Sequence, residues 1–341
     1  MKKIRTEDAV GHVLCHDLTR IVKDEVKDAQ FRKGHVVKKD DIPMLLSMGK
    51  EHLYVWEKHK GMLHEDEAAE RLYEICKNDY MMASEVKEGK IELIAETDGL
   101  LKVDVERLFQ INMLEDIMIA TRHTNSVVKK GDKLAGTRVI PLIIEEEKLI
   151  KAEEIGDRGK LLSLIPFKNM KAGLITTGSE VFKGIIKDTF SPVVKDKLNK
   201  YNIETVKHIT VDDNMENIVA AINEMKNSSM DIIVCTGGMS VDPDDMTPGA
   251  IKNCGVNIIS YGAPVLPGAM FLIGYFEDDT PILGLPGCVM YAKATIFDLV
   301  LPRIAAGFKI TKEELARLGH GGLCLSCESC HYPNCSFGKG N

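Results

Sequence analysis

Three short loops in this chain combine small residues with hydroxyl groups in a way that suits one phosphate-bearing ligand. They contain TTGSE at 176–180, TGGMSVDPDDMTP at 236–248 and GLPG at 284–287, and each follows an apolar run of strand character. A single loop of this kind is more often an ordinary turn between a strand and a helix. Three of them in one pattern favour a shared site above one edge of a sheet.

The middle loop carries the clearest anion-binding chemistry. Gly237 and Gly238 lack a Cβ, so the backbone can adopt a positive φ and approach a ligand closely. Their N–H groups, together with the hydroxyls of Thr236 and Ser240, are suited to bind an anion. We therefore expect these four residues to contact a phosphate.

Carboxylates follow the glycines in the same loop. Asp242, Asp244 and Asp245 would not help to bind a bare phosphate. Three carboxylates beside an anion site indicate a metal ion or a proton transfer instead. Thr247-Pro248 then predicts the start of a helix, with Thr247 as the N-cap and Pro248 in the first helical position.

A second candidate site lies near the end of the sequence. The spacing C-x2-C-x2-C-x4-C could enclose one metal centre with four thiolates. Zn²⁺ sites usually pair two CxxC units across a longer gap, whereas successive x2 steps are closer to iron–sulfur spacing. Zn²⁺, an iron–sulfur cluster and a tail of reactive thiols without metal all stay open. The candidate ligands are Cys324, Cys327, Cys330 and Cys335.

Alternating strands and helices must position the three loops. Apolar runs at 174–177, 205–211 and 231–235 predict strands. Helical spacing at 188–200, and again from 218 to 225, predicts helices between them. This order indicates βαβ units with a mainly parallel sheet.

These motifs, with Pro267-Gly268, resemble the molybdopterin-binding domain shared by molybdopterin adenylyltransferases and molybdopterin molybdenumtransferases. The resemblance implies a three-layer α/β/α domain with a mainly parallel sheet over residues 166–308. It implies molybdopterin, or adenylylated molybdopterin, as the ligand. The binding residues that it implies are Thr177, Gly178, Ser179, Thr236, Gly237, Gly238, Ser240, Asp242, Pro286 and Gly287.

The resemblance also implies an activity. Glu180 and Asp188 fall on acidic positions of the family's active-site edge, and Asp245 falls on the aspartate expected near the metal or molybdate. A transferase that inserts molybdate or tungstate into adenylylated molybdopterin would use these residues to position Mg²⁺ and water. Asp242 replaces a usual glycine and Cys288 a usual asparagine. A carrier or sensor that docks to a molybdoenzyme through the cysteine tail, and a nucleotide pyrophosphatase, are therefore alternatives.

Residues 1–165 resemble the N-terminal part of the molybdenumtransferases, through TEDAVGHVLCHD and the following FxxG segment. We expect a β-rich mixed domain there, a charged linker at 145–160, a cysteine-rich tail at 309–341 and a homodimer.

The bulk composition narrows the class of protein. The 341 residues carry a net charge of −7, which argues against a general nucleic-acid binder. No apolar run is long enough to span a bilayer, and the MKKIRTED start does not match a signal peptide. Nine cysteines suggest thiols and metal ligands rather than disulfides, so we expect a cytoplasmic protein.

Overall fold

The structure is a computed structural model that describes residues 2–22, 26–55, 61–240, 242 and 245–340; of residues 20–22 and 26–29 it describes the backbone alone. The chain divides into two compact units. The first comprises residues 1–97, 102–122 and 129–164, and the second comprises residues 98–101, 123–128 and 165–341.

Antiparallel strands around one amphipathic helix dominate the first unit, as expected for a β-rich mixed region. Helix α2 (Glu65–Cys76) buries Ala68, Leu72 and Cys76 on one face, and His64 caps its first turn by accepting from the N–H of Asp66. The other elements up to residue 166 are β1 (Lys2–Arg5), β2 (Leu18–Val22), β3 (Val26–Phe31), α1 (Ile42–Ser47), β4 (His52–Val55), β5 (Met62–His64), β6 (Met81–Ala83), β7 (Lys90–Ala95), β8 (Gly99–Val103), α3 (Val105–Asn112), β9 (Ile117–Thr121), β10 (Ser126–Val128), β11 (Lys133–Val139), β12 (Ile143–Glu145), α4 (Glu146–Gly156) and β13 (Leu162–Pro166).

The prediction of a linker at 145–160 is wrong, because most of this stretch is helix α4. The helix buries Leu149 and Ala152, and its charged residues occupy the other faces. Glu153 accepts hydrogen bonds from Arg71 of α2 at 2.6 and 2.5 Å. The high charge density that suggested a linker is therefore the exposed side of an amphipathic helix.

The second unit contains a six-stranded sheet with neighbour order β15-β14-β16-β19-β18-β17. Strands β15, β14, β16 and β19 are parallel, and β18 and β17 complete the sheet in antiparallel pairing. The elements are β14 (Met170–Thr177), α5 (Ser179–Phe182), α6 (Phe190–Asn199), β15 (Ile203–Val211), α7 (Met215–Asn227), β16 (Ile232–Thr236), α8 (Thr247–Asn253), β17 (Asn257–Tyr261), β18 (Leu272–Tyr275), β19 (Pro281–Leu285), α9 (Ile296–Ala305) and α10 (Lys312–Arg317).

Successive side chains along each strand point to opposite faces of this sheet, and each face carries an apolar core. On β16, Val234 belongs to one apolar cluster and Cys235 to the other. Helices α6 and α9 cover the first face, and helices α7 and α8 cover the second. The sheet therefore lies between two helical layers, which confirms the three-layer α/β/α prediction and its mainly parallel strands.

The chain after α9 packs onto the first face of the sheet. Leu315 of α10, Leu318 directly after the helix and Phe337 farther along the chain are buried in the same core as α9. The Tyr332 hydroxyl donates to the Asp298 carbonyl at 3.0 Å. Among the described residues, no helix is both long enough and apolar enough to cross a membrane.

Candidate functional site

The three loops singled out in the sequence lie side by side. Strands β14, β16 and β19 are consecutive neighbours in the sheet and run parallel. They end at Thr177, Thr236 and Leu285, so the loops that follow them share the carboxyl edge. This is the edge at which parallel α/β sheets bind ligands.

The middle loop is packed directly against the first. Gly237 and Gly238 have φ values of 88° and 55°. A Cβ on Gly237 would lie 2.2 Å from the Thr177 carbonyl oxygen, and one on Gly238 would lie 2.8 Å from Thr247 Oγ1. Both the backbone conformation and the lack of space therefore require glycine. Among the described residues, neither glycine N–H has an acceptor.

Thr247 joins the two loops but is not the N-cap that the sequence suggested. Helix α8 begins at Thr247 itself, and Met246 occupies the N-cap position. The Thr247 hydroxyl donates to the Gly237 carbonyl at 3.0 Å and lies 3.2 Å from Thr177 Oγ1. Because the Thr247 hydroxyl donates its single proton to the Gly237 carbonyl, we infer that the Thr177 hydroxyl donates to Thr247.

Asp245 holds the middle loop from within. Its carboxylate accepts from the Ser240 N–H at 2.8 Å, so the backbone donor of Ser240, next to the hydroxyl that was expected to bind an anion, is bonded within the protein. The Tyr261 hydroxyl lies 3.0 Å from the Met239 carbonyl and 3.2 Å from that of Ser240. Partial burial and the charge of Asp245 raise the pKa of Tyr261. Asp242 is exposed, whereas Asp244 lies outside the described residues.

Asp188 lies in a hydrogen-bonded network at the start of α6. Its carboxylate accepts from the N–H groups of Phe190 at 2.9 Å and Ser191 at 3.0 Å, and from the Ser191 hydroxyl. His208 Nε2 lies 2.9 Å from Thr176 Oγ1 and 3.1 Å from Ser191 Oγ. Burial acts to raise the pKa of Asp188, but these hydrogen bonds prevail and hold it below its ordinary value.

Sequence reasoning missed His208 and Ser191. Burial and the nearby charge of Lys195 lower the pKa of His208, so its neutral form is favoured. Ser191 is only 2% exposed, which excludes it as an accessible nucleophile in this conformation. The signal was present in the predicted strand at 205–211, where a histidine interrupts apolar and β-branched residues. Its partners became visible only with the pairing of β15 and β14.

The first loop is held in place by a carboxylate that lies outside it in the sequence. Asp213, just beyond β15, accepts from the Ser179 N–H at 2.8 Å. Gly178 has a φ of 145°, which turns the chain from β14 into α5. Glu180 is exposed on that short helix, and Phe182 and Ile185 beyond it are also exposed.

The third loop leaves its backbone accessible. Pro286 precedes a 3-10 helix at Gly287–Met290, and no heavy atom lies within 4 Å of a Cβ built on Gly287. Cys288 is half-buried, and burial raises the pKa of its thiol. A neutral thiol therefore stands where the resemblance led us to expect an amide.

Within the described part of the chain, no three His, Cys, Asp or Glu side chains lie close enough to hold a metal ion. Glu180, Asp188 and Asp245 therefore do not form a Mg²⁺ site by themselves. The four tail cysteines instead surround a cavity of about 180 Å³ that is separate from the three loops. Cys327 and Cys330 are exposed there, and Cys324 and Cys335 are half-buried.

Two family models match this chain. One, described as a probable molybdopterin binding domain, matches residues 173–306, which contain all three loops. The other, described as a domain of unknown function (DUF8806), matches residues 3–57.

Parts of this chain are similar to curated proteins and to solved structures. A CinA-like protein of Pseudothermotoga lettingae is 40% identical over 80 residues, which are 24% of this chain and 20% of the relative. One from Fusobacterium nucleatum is 38% identical over 82 residues, with the same two shares. The chain thus spans about a fifth of the curated relatives that it matches. The molybdopterin biosynthesis enzyme MoaB of Thermus thermophilus is 20% identical, with a TM-score of 0.33 over 41% of this chain and 98% of its own.

Proposed function

We propose that this protein binds adenylylated molybdopterin and inserts molybdate or tungstate into it, because residues 173–306 match a family model described as a probable molybdopterin binding domain. Molybdopterin itself would be the simpler ligand of the same site. The protein would then act as a transferase in molybdenum cofactor biosynthesis.

The binding proposal rests on two backbone N–H groups of the middle loop. The N–H groups of Gly237 and Gly238 have no acceptor among the described residues, and they lie at the carboxyl edge of the sheet. Loop N–H groups held in this way favour a phosphate, because their dipoles are fixed before the ligand arrives. The neighbouring hydroxyls of Thr177 and Thr247 fix the loop against its neighbour.

Asp245 gives the loop a means of responding to its ligand. A phosphate beside Ser240 would repel the Asp245 carboxylate, since both are anions. Displaced from the Ser240 N–H, the carboxylate would be able to orient a water or take up its proton. Mg²⁺ is usually held by one or two carboxylates together with substrate phosphates, so in this proposal it enters with the ligand.

The test begins with protein purified without oxygen, in which bound pterin is measured by fluorescence after oxidation. We then expect added adenylylated molybdopterin to bind the wild-type protein and to bind Gly238→Ala at least tenfold more weakly. Gly255→Ala is the matched control, because Gly255 also has a positive φ but no atoms crowd its Cβ position. Unchanged affinity in Gly238→Ala would contradict a phosphate site at this loop.

Two other functions are separated by the same preparation. Cys288 at the third loop favours a carrier or sensor, which would bind the pterin without turnover and require the cysteine tail to contact a molybdoenzyme. A nucleotide pyrophosphatase would hydrolyse a dinucleotide in the absence of any pterin. We further propose a homodimer in the cytoplasm, which size-exclusion chromatography with light scattering can test for its oligomeric state.

A further inference from the structure

The four tail cysteines form one group in space. Cys324, Cys327, Cys330 and Cys335 all line the same cavity of about 180 Å³, and all four are free thiols. His331 and Lys293 line it as well. None of these residues takes part in the three ligand-binding loops, so this cavity needs an explanation of its own.

The segment that carries the cysteines is fixed at both ends. The Cys324 N–H donates to the Leu266 carbonyl at 2.8 Å. At the other end Phe337 is buried in the core, and the Gly338 N–H donates to the Gly321 carbonyl at 2.9 Å. Between these anchors the chain has neither helix nor strand. Short irregular segments rich in cysteine commonly obtain their shape from a bound metal or from disulfides, and here the thiols are unpaired.

The arrangement does not suit a single ion. Zn–S bonds of about 2.3 Å place the sulfurs of a tetrahedral site about 3.8 Å apart. Among the described residues, no three His, Cys, Asp or Glu side chains form a group that could hold a metal ion, so the tail has no preformed single-ion site. An iron–sulfur cluster places its thiolates farther apart, because each binds a different iron, and it accepts successive C-x2-C steps.

We propose that Cys324, Cys327, Cys330 and Cys335 bind one [4Fe–4S] cluster. The cluster and its four thiolates would carry net negative charge, and Lys293 is among the residues that line the cavity. Ligation requires ferrous and ferric iron, sulfide and the loss of the four thiol protons. The proposal does not depend on the ligand of the three loops.

The residues that line the cavity indicate which part of the proposed ligand site would lie next to the cluster. Pro267 and Ala292–Ala294 line it, and the latter follow the 3-10 helix of the third loop within a few residues. The Ile296 N–H donates to the Pro267 carbonyl at 3.3 Å, which ties these two segments together at the start of α9. The cluster would therefore lie beside the segment that follows the third loop in the sequence.

The experiment uses the full chain, purified without oxygen and then incubated with ferrous iron, ferric iron and sulfide. We expect about four irons and four acid-labile sulfides per chain, with the broad visible absorption of an iron–sulfur cluster. Cys327→Ser and Cys330→Ser should each lose most of the iron. Cys254→Ser, which changes a free cysteine outside the tail, should retain it.

Each other outcome overturns the cluster. About one zinc per chain, retained in place of iron after reconstitution, would assign a single-ion site. A folded protein that takes up neither iron nor zinc would mean that the tail holds no metal. Thiol alkylation of the wild-type protein gives a second measurement that does not depend on folding of the variants: loading with iron and sulfide should protect four cysteines, and unchanged labelling would contradict the proposal.

Discussion

The three loops at the carboxyl edge of the sheet and the cysteine tail belong to the same compact unit, but contacts within the protein fix the loops more completely than the tail. At the loops, Asp188, Asp213 and Asp245 each already accept from a backbone N–H. In the tail, the four cysteines line one cavity without converging on a common point.

The difference follows from the chemistry of the groups. Backbone N–H groups, hydroxyls and carboxylates can satisfy one another, so an anion site can be built before its ligand arrives. Thiols are weak hydrogen-bond partners, and a metal–thiolate site gains its order only with the metal. Under the two proposals, the loops would form an anion site before the ligand binds, and the tail would form its site only when the metal binds.

The largest effect is expected at Asp245. Asp245→Ala should lower turnover of adenylylated molybdopterin by about 10²–10⁴-fold, since a positioned acid–base group is lost. The Kd should change less than about tenfold, because the glycine N–H groups remain. Steady-state turnover and equilibrium binding measure the two effects, with Asp196→Ala, an exposed carboxylate on α6, as control. Full activity of Asp245→Ala would rule out the assigned role.

Gly237→Ala tests whether the loops are preformed by packing. The added methyl would meet the Thr177 carbonyl at 2.2 Å, and φ is positive. We expect the free energy of unfolding to fall by about 2–4 kcal/mol, from strain and overpacking together. Gly255→Ala, with the φ strain alone, should cost about 1 kcal/mol. Urea unfolding of the two variants checks the difference, and equal losses would contradict close packing of the loops.

Removing metal from the tail tests whether the cysteine segment depends on a metal for its order. Chelation should make residues 322–337 sensitive to protease and lower the melting temperature by about 2–8 °C, as expected for a loss of one or two kcal/mol. Ligand affinity at the loops should stay within about twofold. Protease mapping and calorimetry provide the measurement; a tail that stays protected after complete removal would show that it is preformed as well.

A smaller, pH-dependent effect is expected in the first unit. Glu65 is only 7% exposed, and burial, with the charge of Asp66, raises its pKa to about 7. A raised pKa means that the folded state binds a proton more tightly. This tighter proton binding stabilises the folded state fully at pH values below 4.5, the ordinary pKa of the carboxyl in the unfolded chain. The stabilisation is lost as the pH rises through 7.

Glu65→Gln should therefore be more stable than wild type at pH 8 by about 1–3 kcal/mol, and nearly equal to it at pH 4.5. Urea unfolding at the two pH values checks this, with Glu70→Gln, exposed on the same helix, as control. A constant difference between Glu65→Gln and wild type across pH would contradict the raised pKa.

The parts of the fold that the sequence predicts best are local. The strands that end at Thr177 and Thr236 are visible because a buried parallel strand is a continuous apolar run, and glycine follows it where the chain turns. Helix α4 was missed because one turn of buried Leu149 and Ala152 is a weak signal among charges.

The contacts of the candidate site were harder to predict. The bond from the Ser240 N–H to Asp245, and the placement of His208 beside Thr176, depend on loop conformation and on sheet pairing. Spacing along the chain predicts which residue types gather at one edge of the sheet. It does not predict from which donor each carboxylate accepts a hydrogen bond. Which group each donor contacts is therefore set by the folded structure and not by spacing along the chain.

The contact between Gly237 and the Thr177 carbonyl makes the first two loops a single unit for protein engineering. Transplanting either loop alone into a related scaffold would bring a foreign backbone into a space with no tolerance for one extra carbon. A successful graft must exchange residues 176–180 and 236–248 together. Diversity for new ligand specificities is better introduced at the third loop, where Gly287 has open space around it.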